Sequence, residues 1–237
     1  MVLKFFGRGA ENADEHTSAY FTTEDKELVI IDCPFIAYQK LKKMDLTSYE
    51  KIYILITHTH AGRISGLSLF VKYAYFKLNK QCIVVVPNKA VSKDVETLFQ
   101  IEGNELSWCE LITADDNGLW KTKWFYGYAL TEHSPRLKNK CCGYEVIVDG
   151  INVIYTGDTS TLAPFGFMQE DFDGEAQIYV DTTIHEGKVH LKLKEHLDEL
   201  KELAEKGIKV YLMHLDDVEA AEEIIKDIPN IEVVPVV

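Results

Sequence analysis

Five side chains in this sequence stand where apolar runs end, and all five are metal ligands by type. His58 and His60 follow IYILI with one residue between them, His133 follows WFYGYAL, Asp158 follows INVIYTG, and His214 follows VYLM. Alternation along an extended segment puts His58 and His60 on the same side. Neutral imidazole and carboxylate are donors for zinc, iron and manganese. A lone histidine is more often a satisfied polar residue than a ligand, and His16, His185 and His196 are read that way, with His196 on an exposed helix face. A paired histidine motif, and histidine directly after buried strands again and again, is harder to read as coincidence. Asp158, in YTGDT, has the competing role of a turn aspartate.

These residues need strand ends to carry them. Residues 2–6, 18–22 and 28–31 read as strands, and LVII stops before Asp32, Cys33 and Pro34. A short helix over 36–44 leads to a buried strand at 51–56. Residues 66–78 are apolar all round, as for a helix packed on both sides. A strand at 82–87 precedes a helix that Asn88 can cap and that runs to about Gly103. Strands follow at 106–113 and 123–130. CGYEVIVDGINVIYTGD reads as a hairpin turning at Asp149-Gly150. A short strand at 178–180 precedes a helix in which Leu197, Leu200 and Leu203 share a face. Then come the strand ending at His214, a helix capped by Asp216 or Asp217, and a last strand, IEVVPV. Strands, then β-α-β alternation, then both again, predict an α/β fold with two mixed sheets face to face and helices outside: a four-layer αββα sandwich in a single domain over residues 1–237.

Bulk properties narrow the function. The formal net charge is -13, whereas a nucleic-acid binder normally carries a basic footprint. Much of the acid lies in KEHLDELKELAEK and DDVEAAEEIIKD, the solvated faces of two helices. Nucleic acid is therefore disfavoured as a partner, and a small anionic molecule in a local pocket is the expected substrate. No segment approaches the roughly 20 apolar residues that span a bilayer, so no membrane partner is expected. The sequence MVLKFFGRGA does not read as a signal peptide, which makes a cytoplasmic location the default. The five cysteines, Cys33, Cys82, Cys109, Cys141 and Cys142, lack C-x-x-C spacing, and most of them read as buried small apolar residues.

The motifs THTHAGRISGL, TEHS, YTGDTS and LMHL, in that order, resemble the metallo-β-lactamase superfamily, as does the opening through LVIIDCP. The resemblance covers nearly the whole chain. It implies the αββα sandwich, a metal site at one edge of the sheets, and hydrolysis of phosphoesters, thioesters or lactams. By that resemblance His58, His60 and His133 match the first metal site, Asp158 the bridging carboxylate, and His214 the second site. The family pattern also expects aspartate at position 62 and histidine at position 63. Here they are Gly62 and Arg63, and both departures fall on the second metal. A cation bound by only two ligands beside a guanidinium is unfavourable, so one tightly bound divalent ion is expected, zinc first, with manganese or iron as alternatives.

Two functions remain open. In one, the protein is a hydrolase of a small anionic ester, with one metal, Arg63 clamping a substrate oxygen, and Asp158 or His190 acting as base or acid; His190 matches an additional active-site histidine of phosphodiesterase-like relatives only loosely. A phosphodiester is favoured as substrate because the short YTGDT segment and compact length look like the phosphodiesterase branch. In the other, Arg63 pairs with Asp158 and the fold serves as a non-catalytic binding protein. Three further features have bland readings of equal or greater weight. GRG at 7–9 reads as a turn, residues 161–169 as loop packing rather than a pocket wall, and Asp32 as either a strand-end cap or support for the metal histidines.

Overall fold

The computed structural model describes residues 1–166, 175–185 and 187–237. Two six-stranded sheets form in chain order. The first contains β1 (Lys4–Gly7), β2 (Ser18–Thr22), β3 (Glu27–Ile31), β4 (Lys51–Leu55), β5 (Cys82–Val86) and β6 (Cys109–Thr113). Its first three strands are antiparallel, and β3 to β6 are parallel. The second sheet repeats the scheme with β7 (Phe125–Leu130), β8 (Cys142–Val148), β9 (Ile151–Tyr155), β10 (Ala176–Asp181), β11 (Lys209–Met213) and β12 (Ile231–Val233). Here β7, β8 and β9 are antiparallel and β9 to β12 parallel.

Burial on both faces explains the continuous apolar runs. In β3, Val29 and Ile31 point into the core between the sheets, where they join Tyr53, Leu55, Tyr144, Tyr155 and Tyr179. Leu28 and Ile30 point outward, against Leu67 and Phe70 of α3 (Leu67–Tyr73) and Val91, Val95 and Phe99 of α4 (Lys89–Ile101). With α1 (Phe35–Leu41) and the one-turn α2 (Ala61–Ile64), these helices cover the first sheet. The second sheet's outer face, through Ile178, Val180, Val210 and Leu212, packs on α5 (Leu193–Glu205) and α6 (Val218–Ile225). The expected four-layer αββα sandwich is therefore what forms.

Local chemistry accounts for most boundaries. Asn88 accepts from the amides of Ala90 and Val91 to start α4. Of the two candidate caps for α6, Asp217 accepts from Ala220, while Asp216 accepts from the amides of Ile184 and His185. Asp149 and Gly150 have φ of 53° and 78°, the pair of positive values that a tight β8–β9 hairpin turn demands. Three expectations need correction. The helix over 66–78 is not packed on both sides: it passes into a π-helical turn (Ala74–Leu78), and Leu69, Tyr75 and Phe76 are exposed, with Tyr75 and Phe76 against Trp108. The strand at 106–113 begins only at Cys109, after a 3-10 turn (Leu106–Trp108). His196 is only half-exposed, with Nδ1 at 3.0 Å from Glu199. No helix among the described residues is long and apolar enough to cross a membrane.

Candidate metal centre

The carboxyl ends of strands from both sheets meet at one edge, and the predicted residues converge there. His58 and His60 come from the segment after β4, His133 from after β7, Asp158 from after β9 and His214 from directly after β11. Nδ1 of His60 lies 3.1 Å from Nε2 of His58 and 3.2 Å from Nε2 of His133. Oδ2 of Asp158 is 3.4 Å from Nε2 of His58. Each of the four residues offers an atom within 4.8 Å of the others. Ligands about 2.0–2.1 Å from a tetrahedral ion sit about 3.3–3.4 Å apart, so the spacing suits a single small cation.

Tautomers decide whether these nitrogens can be donors to a metal. Nδ1 of His133 faces the carbonyl of Val189 at 2.9 Å. A carbonyl only accepts, so Nδ1 carries the proton and Nε2 presents its lone pair. The hydroxyl of Thr57 donates to Asp32 at 2.8 Å, so its 3.1 Å contact with Nδ1 of His58 has the imidazole as donor. Nε2 of His58 is then also a lone pair. Burial keeps His58 and His133 below the ordinary imidazole range, partly opposed by the charge of Asp158. Both rings are neutral at pH 7, the state a divalent ion requires. The residues present thus fit the metal that the fold implies.

Asp32, at the end of β3, is tied to the segment that carries His58. It accepts from the amide and hydroxyl of Thr57, whose hydroxyl orients His58, and Oδ2 stands 3.7 Å from Nε of Arg63. Burial raises its pKa to about 7, with Arg63 and the Thr57 bonds opposing. Both Asp32 (φ 59°) and His214 (φ 60°) have left-handed backbones at strand ends, a conformation that concentrates at functional sites.

Arg63 takes the place beside the first ligand set. Its Nη2 donates to Oδ1 of Asp158 and to Nδ1 of His214, and its Nη1 donates to the carbonyl of Thr17 at 2.7 Å. The side chain is 3 % exposed. Burial acts against the charge of Asp158, but the Arg63 guanidinium outweighs it and holds the carboxyl well below its usual range. Because Arg63 donates to Nδ1 of His214, the proton of that neutral ring is on Nε2, a buried atom with no hydrogen-bond partner among the described residues. The expectation that Arg63 clamps a substrate oxygen needs revision: most of its donors are spent on protein acceptors, and it offers the site charge rather than a free fork.

His190 joins the group from the other side. Its Nδ1 is 2.8 Å from Oδ2 of Asp181, and its ring lies 4.7 Å from that of His133 and 4.6 Å from that of His214. Burial acts to lower His190, but the hydrogen bond and charge of Asp181 raise it to about 9. Burial likewise lifts Asp181 to about 7, so the pair keeps a proton at neutral pH. A narrow cavity over the site is lined by Glu11, His16, His60, Gly62, Arg63, Asp158, His190 and His214.

Sequence reading missed Thr57, Asp181, Thr17 and His16. Asp181 ends the apolar run QIYVD and satisfied the rule that selected the other residues. Thr57 is adjacent to His58. Nothing local marks Thr17 or His16. Of residues 161–169, Leu162 and Phe165 are buried in the core rather than lining the cavity, and 167–169 lie outside the described residues. His185 is exposed and paired with Asp217.

A family model described as Anti-Pycsar protein Apyc1 matches residues 1–231. The chain belongs to this family. Among curated proteins there is no match. Solved structures similar to this Apyc1 family member include the metallo-β-lactamase fold protein YhfI from Bacillus subtilis, at 17% identity, 98% coverage of this chain, 94% of that chain and a TM-score of 0.72. A diphosphatase from the PhnP family is 19% identical, with 99% and 94% covered and a TM-score of 0.71. Zn(2+)-bound PqqB from Methylobacterium extorquens is 9% identical, with 100% and 98% covered and a TM-score of 0.69. These likenesses show the metallo-β-lactamase fold.

Proposed function

We propose that this protein hydrolyses a small phosphodiester with one divalent ion, zinc first, held by His58, His60, His133 and Oδ2 of Asp158. The observation that carries the reading is the convergence of Nε2 of His58 and of His133 on Nδ1 of His60, with the first two fixed as lone pairs. The Apyc1 family match and the likeness to a PhnP-family diphosphatase support phosphoryl chemistry. The net charge of -13 argues against a nucleic-acid strand as the substrate. A cytoplasmic location goes with this reading, since all five cysteines are free and reduced thiols belong to a reducing compartment.

When bound, the ion would supply Lewis acidity and ionise water near neutral pH. The protein's own residues do the rest. Asp32 and Thr57 hold His58 in its ligand tautomer. Arg63 pins Oδ1 of Asp158, leaving Oδ2 toward the histidine nitrogens. Its fixed positive charge, where water is excluded, favours the negative charge that grows on the phosphoryl oxygens. His190, protonated through its bond to Asp181, is the general acid for the leaving oxygen.

Metal analysis should find one equivalent, lost in His133→Ala. With zinc, manganese or iron added, bis(p-nitrophenyl) phosphate should be cleaved, and His190→Gln should slow cleavage by about 10²–10⁴-fold while retaining the metal. Metal retained without turnover under any of these ions would favour a second reading, a non-catalytic binding protein. The commitment of the Arg63 donors to protein acceptors is the observation on that side.

A further inference from the structure

We propose that His16, with the loop of residues 10–17 that carries it, restricts the centre to one metal ion by occupying the space over Gly62. The proposal rests on the single-metal reading and identifies what enforces it.

Donor atoms of Asp158, His190 and His214 lie within 4.8 Å of one another, a second group able to hold a cation. Arg63 stands against two of the three. The loop holds it there, since the Thr17 carbonyl accepts from Nη1. Thr17 is itself anchored: its amide and hydroxyl both donate to the carbonyl of Gly9, at 3.1 and 3.0 Å, and its hydroxyl accepts from the amide of His214 at 3.1 Å. The loop is therefore sewn to the strand end that carries His214.

Glycines make this approach sterically possible. A Cβ on Gly7 would fall 2.3 Å from the His16 carbonyl oxygen, and one on Gly9 would fall 2.3 Å from Cβ of Ala13. A Cβ on Gly62 would fall 2.9 Å from Cδ2 of the His16 ring. None of the three has a positive φ, so space rather than backbone freedom demands glycine. The GRG motif is thus the seat of the loop. The His16 ring is fixed by Nε2, which donates to the carbonyl of Glu11 at 2.9 Å. A ligand side chain at position 62 needs the volume that this ring fills, so changing residues 62 and 63 alone does not open a second site.

Two experiments test this. Zinc equivalents are measured in the wild type, in Gly62→Asp/Arg63→His, and in that double variant with His16→Ala added. The expected values are one, one and two. A wild type with none or two defeats the single-metal reading itself. With one in the wild type, two equivalents in the double variant, or one in a folded triple variant, overturns the role of His16. The second experiment does not depend on metal and decides the matter if the triple variant does not fold. In chelated protein, Gly62→Ala should lower the Tm by about 3–6 °C, and in a His16→Ala background the same change should cost less than half as much. Equal costs in the two backgrounds would refute the contact.

Discussion

At the scale of single residues, Arg63 has the largest consequences. It is a buried cation facing Asp158 and, at 3.7 Å, Asp32. A buried pair gains little over a hydrophobic substitute, but removing one partner strands the other and costs about 3–5 kcal/mol. Arg63→Met should therefore lower the Tm of chelated protein by about 6–20 °C, at about 2–4 °C per kcal/mol for a chain of this size. Arg63→Lys should recover only part of the loss, because one ammonium cannot reproduce the fork that serves Thr17, Asp158 and His214. A melt unchanged by Arg63→Met would mean that the pair has no net worth. The residues legible in the sequence were those whose role follows from their own position along the chain. His58, His60, His133, Asp158 and His214 each follow an apolar run, and strand ends collect ligands. His16 and Thr17 were illegible because their roles exist only once a loop folds back onto Gly62 and Arg63.

At the scale of elements, the sequence was a good guide wherever burial was two-sided or a turn had its own chemistry. The cores on both faces of each sheet turn VII and VVV into strands, and Asp149-Gly150 turns β8 into β9. It was a poor guide at residues 66–78, where an all-round apolar segment could not announce that Tyr75 and Phe76 would meet Trp108 at the surface. Nor does local pattern show how close a neighbouring backbone comes to a glycine, and two glycines make that difference measurable. Gly150 and Gly157 both have positive φ, at 78° and 62°. Around Gly150 a Cβ meets nothing within 4 Å, whereas at Gly157 it would lie 2.4 Å from the Cys142 carbonyl oxygen and 3.2 Å from Thr57. Gly150→Ala should cost about 1–2 kcal/mol from backbone strain alone. Gly157→Ala should cost clearly more and should also weaken zinc binding, because it displaces Asp158 and the Thr57 that orients His58. Equal losses of stability in urea melts, with zinc affinity intact in both, would contradict this reading of the β9 end.

At the scale of the whole molecule, the centre joins two similar halves. His58 and His60 hang from the first sheet, and His133 and Asp158 from the second, so a bound ion ties the sheets together. Arg63 makes a parallel tie from the first sheet to Asp158 and His214 of the second. Removing an ion present at about a thousandfold over its Kd should cost about 4 kcal/mol, or about 8–16 °C in Tm. The chelated protein should still melt in one transition, because the core between the sheets and the Arg63 tie remain. The two ties share one carboxylate, so they should not be independent. In the wild type, losing the ion leaves Asp158 with the guanidinium. In Arg63→Met, losing it leaves the buried carboxylate with neither the ion nor the guanidinium. Chelation should therefore lower the Tm of Arg63→Met by more than it lowers that of the wild type. Equal shifts would show that Arg63 and the ion do not share Asp158, and the coupling of the two ties would fall with them.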